Sequence, residues 1–164
     1  MKIAVMGSGG VGGFYGGHLA NAGYDVAFIA RGAHLSAMRD QGLIIENSPQ
    51  GQVHVPGVTV TDDPATIGVV DVVLIAVKLW DTEAAARAVT SLVGPKTTVV
   101  SLQNGVMKDD LLRAAFGEAS VVGGVAYVAS HVSRPGVIRQ TGTMKRCILG
   151  EYDALPHCGP THDV

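Results

Sequence analysis

The sequence predicts an α/β fold in which helices cover both faces of a doubly wound parallel sheet. Short runs rich in β-branched residues alternate along the chain with segments of helical periodicity. This alternation is typical of parallel strands that are joined by crossover helices. The run at residues 71–77 is apolar throughout after its first residue, as expected for a strand that is covered on both faces.

The first 31 residues predict a strand, a glycine-rich turn, a helix and a second strand, in that order. An apolar run at residues 2–6 leads directly into Gly7-Ser8-Gly9-Gly10-Val11-Gly12. Helical spacing of apolar residues continues over residues 10–22, with Gly23 suited to the C-terminal cap, and a second apolar run occupies residues 25–30.

The rest of the chain continues this alternation, and glycine or proline comes after most of the predicted elements. Helices are predicted at residues 33–41, from Asp81 or Thr82 to Gly94-Pro95, and at residues 108–116. Strands are predicted at residues 43–45, 53–60, 71–77, 97–102, 120–129, 137–141 and 145–149, with a turn or short helix at residues 62–68.

The glycine-rich turn fits the pattern G-x-G-x-x-G at Gly7, Gly9 and Gly12. Gly7 permits a tight turn, Gly9 lets the backbone approach a pyrophosphate, and Gly12 lets the helix pack against the strand. The helix N-terminus offers unpaired N–H groups to phosphates. The pattern alone is weak in a chain with 22 glycines, but its place between strand and helix favours a dinucleotide-binding, Rossmann-type unit over a merely flexible turn.

Arg31 stands where an NAD-binding unit usually carries Asp or Glu, about twenty residues beyond the glycines. A carboxylate would repel a 2′-phosphate, whereas a guanidinium forms charge-assisted hydrogen bonds with it. The alternative is a surface arginine that simply comes after a strand. We expect NADP(H) to be preferred over NAD(H).

Two further polar residues come after predicted strands on the edge of the sheet where ligands bind. The ammonium of Lys78 could contact a phosphate, a ribose hydroxyl or an anionic substrate, or it could simply be a solvated lysine. Asn104 precedes Gly105, a pair that often marks a turn. Its side-chain amide can both donate and accept hydrogen bonds, which suits a nicotinamide carboxamide or a substrate carbonyl.

Composition argues against several classes of function. The net charge of −2, without a basic run, makes nucleic acid and anionic membranes poor partners. No apolar stretch approaches the ~20 residues that span a bilayer, and the N-terminus does not match a signal peptide. Two cysteines make no disulfide framework, which fits a reducing cytoplasm.

Other polar residues are assigned structural roles. His157, Cys158 and His162 are poorly spaced for zinc, and no metal site is predicted. His18 is expected to be packed and hydrogen-bonded, and Asp109 and Asp110 suit a helix N-terminus. No nucleophile motif and no P-loop ending are present.

These motifs together resemble the ketopantoate reductase (2-dehydropantoate 2-reductase) family over residues 1–151. The residues that carry the resemblance are the strand and turn at 2–12, Arg31, Val77-Lys78, Gln103-Asn104-Gly105, Gly123-Gly124, the segment 134–139 and Ile148-Leu149-Gly150-Glu151. The resemblance implies reduction of 2-dehydropantoate to pantoate with NADPH, in the synthesis of pantothenate and coenzyme A.

The resemblance also implies roles for individual residues. The pyrophosphate would lie on residues 7–12, and the 2′-phosphate on Arg31. Lys78 and Asn104 would line the cleft between cofactor and substrate, with Asn104 touching both. The backbone near Ala129 would border the nicotinamide.

The family carries a second, helical domain that supplies the proton-donating lysine and most substrate contacts. No lysine comes after Lys145 here, and the pattern of residues 152–164 departs from the family. We therefore expect a cofactor domain at residues 1–151, an irregular tail at 152–164, no catalytic residue in this chain, and cofactor binding with little turnover.

Two alternatives remain open from sequence: a reductase of another 2-oxo acid, and a non-catalytic NADP-binding or sensor module. The expected partner of a reductase is a small-molecule 2-oxo acid substrate. An exposed apolar face is expected where the second domain would dock, and it would also allow homo-oligomerisation.

Overall fold

In a computed structural model, the chain is described at residues 1–47 and 51–152. The strands of this part are β1 (Lys2–Met6), β2 (Asp25–Ile29), β3 (Leu43–Asn47), β4 (Gly51–Val55), β5 (Thr59–Thr61), β6 (Val72–Ile75), β7 (Thr98–Ser101), β8 (Val121–Arg134) and β9 (Val137–Gly150). The α-helices are α1 (Gly10–Asn21), α2 (Gly32–Gln41), α3 (Thr82–Ala88) and α4 (Met107–Phe116), with one-turn 3₁₀ helices between several elements.

The strands of the described residues form one sheet in the order β4-β3-β9-β8-β7-β6-β1-β2-β5. Six of them, β5, β2, β1, β6, β7 and β8, pair in parallel with their neighbours. Their spatial order corresponds to the 3-2-1-4-5-6 order of a Rossmann sheet. The prediction of a doubly wound, parallel-dominated sheet is therefore confirmed, and the order of strands reverses between β1 and β6.

The remaining part of the sheet is mixed rather than purely parallel. β9 pairs antiparallel with β8 and parallel with β3, while β4 pairs antiparallel with β3. The single strand expected at residues 53–60 is two strands, because the chain turns at Pro56-Gly57, where Gly57 has a φ of 63°. The halves belong to opposite ends of the sheet, since β4 pairs with β3 and β5 with β2.

The strands predicted at residues 137–141 and 145–149 are one strand, β9. Gly142, which has a φ of 77°, lies within β9, and a glycine at this position in the sequence suggests the end of a strand. The long partner β8 keeps the two segments in one ladder through a register shift between Val128 and Ser130.

Helix α1 lies almost directly on the sheet, because the residues that face the strands are glycines. A Cβ at Gly16 would lie 2.8 Å from a methyl of Val5, and one at Gly17 would lie 2.6 Å from a methyl of Ile45. Phe14 of the same helix is 1% exposed and is part of the core on this face. Helices α3 and α4 cover the other face, with Val89, Leu92 and Leu112 in a second core.

The hairpin β8–β9 is held against both α1 and β3. The hydroxyl of Tyr15 donates to the carbonyl of Arg146 at 2.9 Å, and burial, with a smaller contribution from nearby Cys147, raises the pKa of Tyr15 to about 12. Glu46 on β3 accepts from Arg139 and Arg134 at 2.8 and 3.0 Å. The hydrogen bond from Arg139 is the main cause that lowers the pKa of Glu46.

Among the described residues, no helix has the length and apolar character that crossing a membrane would need.

The glycines of α1 give a stability prediction with an internal control. At Gly12 a Cβ would overlap the carbonyl oxygen of Gly7 and lie 2.9 Å from the Cβ of Ala76. We expect Gly12→Ala to lower the free energy of unfolding by about 1–3 kcal/mol, since extra atoms in a close-packed site cost that much. Urea denaturation would measure it.

Gly9→Ala is the matched control, because no atom lies within 4 Å of a Cβ at Gly9. It should change the unfolding free energy by less than about 1 kcal/mol, the usual effect at an N-cap position. Equal stability of the two variants would contradict the packing described for α1.

Candidate functional site

The loops after β1, β2 and β6 meet where the strand order reverses, which is the usual ligand site of such sheets. They enclose a cavity of about 280 Å³, which we call the first cavity. Its lining includes Gly7, Ser8, Gly9, Arg31, His34 and Asp81. The structure thus brings the glycine turn and Arg31, which lie far apart along the chain, to one place.

The glycine turn leaves the start of α1 accessible. Gly7 has a φ of 97° and packs against Val77, a conformation that favours glycine. The first bond of the helix runs from the N–H of Gly13 to the carbonyl of Gly9 at 2.7 Å. The N–H groups of residues 10–12 therefore precede the helical hydrogen-bond ladder and point out of the helix end. With open space beside Gly9, this end can receive an anion.

Three residues of the turn have other neighbours. The hydroxyl of Ser8 is buried and donates to the carbonyl of Ile29 at 2.9 Å, so its proton is already used. The side chain of Val11 packs against the core. Gly10 lies against the backbone of Ser130, where a Cβ would overlap it. The turn is therefore locked to β2 and to β8, while Gly9 faces open space.

Arg31 is exposed at the N-cap position of α2 and lines the first cavity. Within residues 1–47 and 51–152 its guanidinium has no carboxylate partner. Asp81, one of the two residues at which the helix was predicted to begin, lines the same cavity, and its side chain makes no helix-capping bond. Sequence reasoning missed Asp81 as a cavity residue, because an acidic residue at a helix start is usually explained by capping.

His34 is a second residue that sequence reasoning missed. Its Nδ1 accepts from the N–H of Gly136 at 3.0 Å, so Nε2 carries the proton and donates to the carbonyl of Ser8 at 2.8 Å. The imidazole therefore ties the glycine turn to the tip of the β8–β9 hairpin. No sequence pattern predicts this role, because the two partners lie 26 and 102 positions away from His34 in the chain.

Lys78 and Asn104 lie on neighbouring loops after β6 and β7, and the buried Gln103 joins these loops. Its side-chain NH₂ donates to the carbonyl of Lys78 at 3.2 Å and to the hydroxyl of Thr82 at 2.8 Å. Its carbonyl oxygen accepts from the hydroxyl of Ser101 at 3.0 Å. Gln103 belongs to the Gln-Asn-Gly motif, but the sequence assigned it no role of its own.

Asn104 lines a second cavity, of about 410 Å³, between α4 and the start of β8. Gln103, Lys108, Val125, Ala126 and Tyr152 also line it. Leu79, after β6, has its Cδ2 3.5 Å from a Cβ position at Gly105, after β7, so the loops that follow these two strands are in contact. The two cavities therefore share one edge of the sheet.

Ala129, expected near the nicotinamide, is exposed on β8 and lies outside the linings of both cavities. It stands at the register shift of the hairpin, and its carbonyl accepts from the hydroxyl of Thr141 at 3.3 Å. The neighbouring Ser130 lies against Gly10, so this part of β8 passes over the start of α1.

Large apolar side chains stand exposed around this edge. The exposed fraction is 81% for Trp80, 85% for Val106 and 68% for Met107. These residues come shortly after Lys78 and Asn104 in the chain, and Val106 also lines the second cavity.

One structural expectation needs correction. His18 packs edge-on against Phe14, with ring centroids 4.6 Å apart, but its buried Nε2 lacks a hydrogen-bond partner among the described residues. Burial, then the charge of Lys145, lowers the pKa of His18. Asp109 and Asp110 lie in the first turn of α4, as expected, and Asp109 also pairs with the buried Lys108.

The described residues hold no group of three or more potential metal ligands, and His157, Cys158 and His162 lie outside them.

Comparison with known proteins identifies relatives of this architecture. The family model described as "Ketopantoate reductase PanE/ApbA" matches residues 3–154. A 2-dehydropantoate 2-reductase of Pyrococcus abyssi is 34% identical over 142 residues, which cover 87% of this chain and 45% of that protein. The chain spans about half the length of the first curated relatives it matches.

Solved structures show the same relation. A PanE/ApbA family ketopantoate reductase from Ralstonia eutropha JMP134 matches with a TM-score of 0.81 and 40% identity, over 87% of this chain and 47% of that one. A 2-dehydropantoate 2-reductase from Geobacter metallireducens GS-15 matches with a TM-score of 0.88 and 32% identity, over 97% and 51%.

The tie through His34 can be tested by stability alone. His34→Ala leaves the buried N–H of Gly136 without its acceptor, so we expect the free energy of unfolding to fall by about 1–3 kcal/mol. The exposed His131 provides the control, His131→Ala, which should stay within about 0.5 kcal/mol of the wild type. Indistinguishable denaturation curves for the two variants would argue against the tie.

Proposed function

The chain belongs to the ketopantoate reductase PanE/ApbA family, and we propose that it is the NADPH-binding part of a 2-dehydropantoate 2-reductase. The observation that supports this most directly is the meeting of the glycine turn and Arg31 in one cavity at the strand reversal. The whole protein would reduce 2-dehydropantoate to pantoate in the synthesis of pantothenate and coenzyme A.

The first cavity suits the adenosine half of NADPH. The free N–H groups at the start of α1 would hold the pyrophosphate, and the open space beside Gly9 would let it approach the backbone. The exposed guanidinium of Arg31, without a carboxylate partner in the described chain, would bind the 2′-phosphate. Asp81 would face hydroxyl or amino groups of the adenosine, because a carboxylate only accepts hydrogen bonds.

The second cavity suits the nicotinamide and the keto acid. Asn104 would orient both, because its amide can donate to a carbonyl oxygen while it accepts from a hydroxyl. Gln103, next to Asn104 in the chain, bonds to the carbonyl of Lys78 and so holds the loop of Lys78 near that of Asn104. The ammonium of Lys78 would attract a phosphate or a carboxylate. The backbone of Ala129 and its neighbours on β8 would border the nicotinamide end.

NADPH supplies a hydride when it is bound, and this chain supplies position and electrostatics. When a hydride adds to the carbonyl carbon of a ketone, the oxygen becomes negative, so this oxygen needs a hydrogen-bond donor or an acid nearby. In the proposed arrangement the exposed amide of Asn104 would be such a donor, whereas the donors of Gln103 and Lys108 are already used in bonds within the protein. The proton donor expected from the family resemblance is a lysine of a second, helical domain.

Residues 1–151 would then be the cofactor domain, and residues 152–164 would lead into the second domain. The last lysine of this chain, Lys145, lies on β9 beside His18 and away from the second cavity. We therefore expect the 164-residue chain to bind NADPH without efficient reduction of a keto acid.

The preference for NADPH is tested with Arg31→Ala. Removal of a charged hydrogen bond costs about 1.5–3 kcal/mol, so the Kd for NADP should rise about ten- to a hundredfold while that for NAD hardly changes. Isothermal titration calorimetry of the wild type and the variant with both nucleotides gives the four constants.

Arg39→Ala is the control, since Arg39 is an exposed arginine in the last turn of the same helix, α2. Its affinities should match the wild type. Equal affinity of the wild type for NADP and NAD would contradict the role assigned to Arg31. If the wild type binds neither nucleotide, the proposed function is contradicted.

Turnover gives a second test. With 2-dehydropantoate and NADPH, the rate for this chain should be about 10²–10⁴-fold below that of a full-length family member, which is the usual contribution of a general acid. The loss of NADPH absorbance would measure both under the same conditions. A rate equal to the full-length enzyme would show that the chain holds its own acid.

A further inference from the structure

Strands β7 and β8 separate directly beneath Asn104. Their parallel pairing is confined to Val99 with Val121 and Val100 with Val122. Beyond these pairs β8 turns away, and it later passes the start of α1 at Ser130. Asn104, which follows β7, and Val125 of β8 both line the second cavity, so this cavity lies where the ladder between the two strands has ended.

A buried ammonium group stands at the point of separation. Lys108, near the start of α4, is 3% exposed, and its Nζ donates to the carbonyls of Ser101 and Gly124 at 3.0 Å each. Ser101 ends β7 and Gly124 belongs to β8. The ammonium therefore bonds across the place where the ladder between the strands has ended.

The charge of Lys108 is balanced next to it. Its Nζ lies 3.3 Å from Oδ1 of Asp109, and this oxygen has no hydrogen bond in the described chain. Burial and a hydrogen bond with Asp109 raise the pKa of Tyr152 to about 12, and the guanidinium of Arg113 lies 5.0 Å above the Tyr152 ring. A buried ammonium is costly unless it is paired and hydrogen-bonded, and here it is both.

Asn104 thus lies in the chain between two buried polar side chains, Gln103 and Lys108, that bond to different elements. On one side Gln103 bonds to the loop of Lys78, and on the other Lys108 bonds to β8. Asn104 itself is exposed and precedes Gly105, which has a φ of 95° and little conformational restraint of its own. A group that orients reactants must be held in place by its surroundings.

We propose that Lys108 is a positioning residue that holds Asn104 and the β8 wall of the second cavity at the spacing required by the nicotinamide half of the cofactor. This inference rests on the proposed function for the identity of that ligand. The geometry of the brace, in which Lys108 joins β7, β8 and Asp109, does not depend on it. Two donors of the ammonium bond to the carbonyls of Ser101 and Gly124, and its charge is paired with Asp109, so the role assigned to Lys108 acts through Asn104 and β8.

The test compares the Kd for NADPH with the Kd for adenosine 2′,5′-bisphosphate, which corresponds to the adenosine half of NADPH. Lys108→Met keeps the length of the side chain and removes the ammonium. We expect its Kd for NADPH to rise about tenfold or more, as for the loss of hydrogen bonds to a charged group, while its Kd for adenosine 2′,5′-bisphosphate stays within about twofold of the wild type. The bisphosphate would occupy the first cavity alone. Lys96→Met, at an exposed lysine before β7, is the control and should bind both ligands as the wild type does.

Wild-type affinity of Lys108→Met for both ligands would overturn the proposal. Equal weakening for both ligands would also overturn it, since that indicates general destabilisation. If Lys108→Met does not fold, Lys108→Arg replaces it, because a planar guanidinium keeps the charge beside Asp109 but does not reproduce the compact donor geometry. The same selective loss of NADPH affinity is then expected, and its absence overturns the proposal.

Backbone ¹⁵N relaxation of the ligand-free chain gives a readout that is independent of the cofactor. Order parameters of residues 103–106 should be about 0.85 in the wild type and in Lys96→Met, and should fall toward about 0.6 in the Lys108 variant. Unchanged order parameters would contradict the brace. If the wild type binds neither ligand but the order parameters still fall in the Lys108 variant, the proposed function is contradicted and the brace is supported.

Discussion

The close contact between helix α1 and the sheet is the constraint on which the site depends. Gly12 lies against the carbonyl of Gly7 and Gly16 against Val5, at distances that leave no room for a Cβ. The helix can therefore begin immediately after β1, with its N-terminal N–H groups at the edge where the strand order reverses. A larger residue at these positions would push the helix away and move those groups out of the cleft.

The surrounding elements fix this arrangement from two sides. His34 binds the glycine turn to the hairpin tip, and the hydroxyl of Ser8 binds it to β2. On the far side of β6, Gln103 joins the loops that carry Lys78 and Asn104. Each tie uses a polar side chain whose bonding groups are directed at backbone or side-chain partners, which makes the edge rigid where it is not part of a strand.

The two cavities differ in a way that fits the halves of a nicotinamide dinucleotide. The first contains an exposed guanidinium, a helix N-terminus and a carboxylate, which together suit a phosphorylated adenosine. The second has the amide of Asn104 and the exposed side chain of Val106 in its lining. Trp80 and Met107, which are also highly exposed, lie near these residues in the chain, and such exposed apolar side chains are suited to further protein contact.

The sequence by itself determined the features that depend on neighbouring residues. The turn of Gly7, the start of α1, the buried run of β6 and the cation at Arg31 could be located from local spacing, because strand, turn and helix propensities act over a few positions. The apolar runs of β8 and β9 could be located in the sequence, but their pairing as one hairpin, the pairing of β9 with β3 and the split of residues 53–60 between opposite ends of the sheet could not. Only the tertiary structure decided that His34, Asp81, Gln103 and Lys108 belong to the site. Their partners lie up to 102 positions away, and bonds between such distant residues leave no periodicity or motif in the chain.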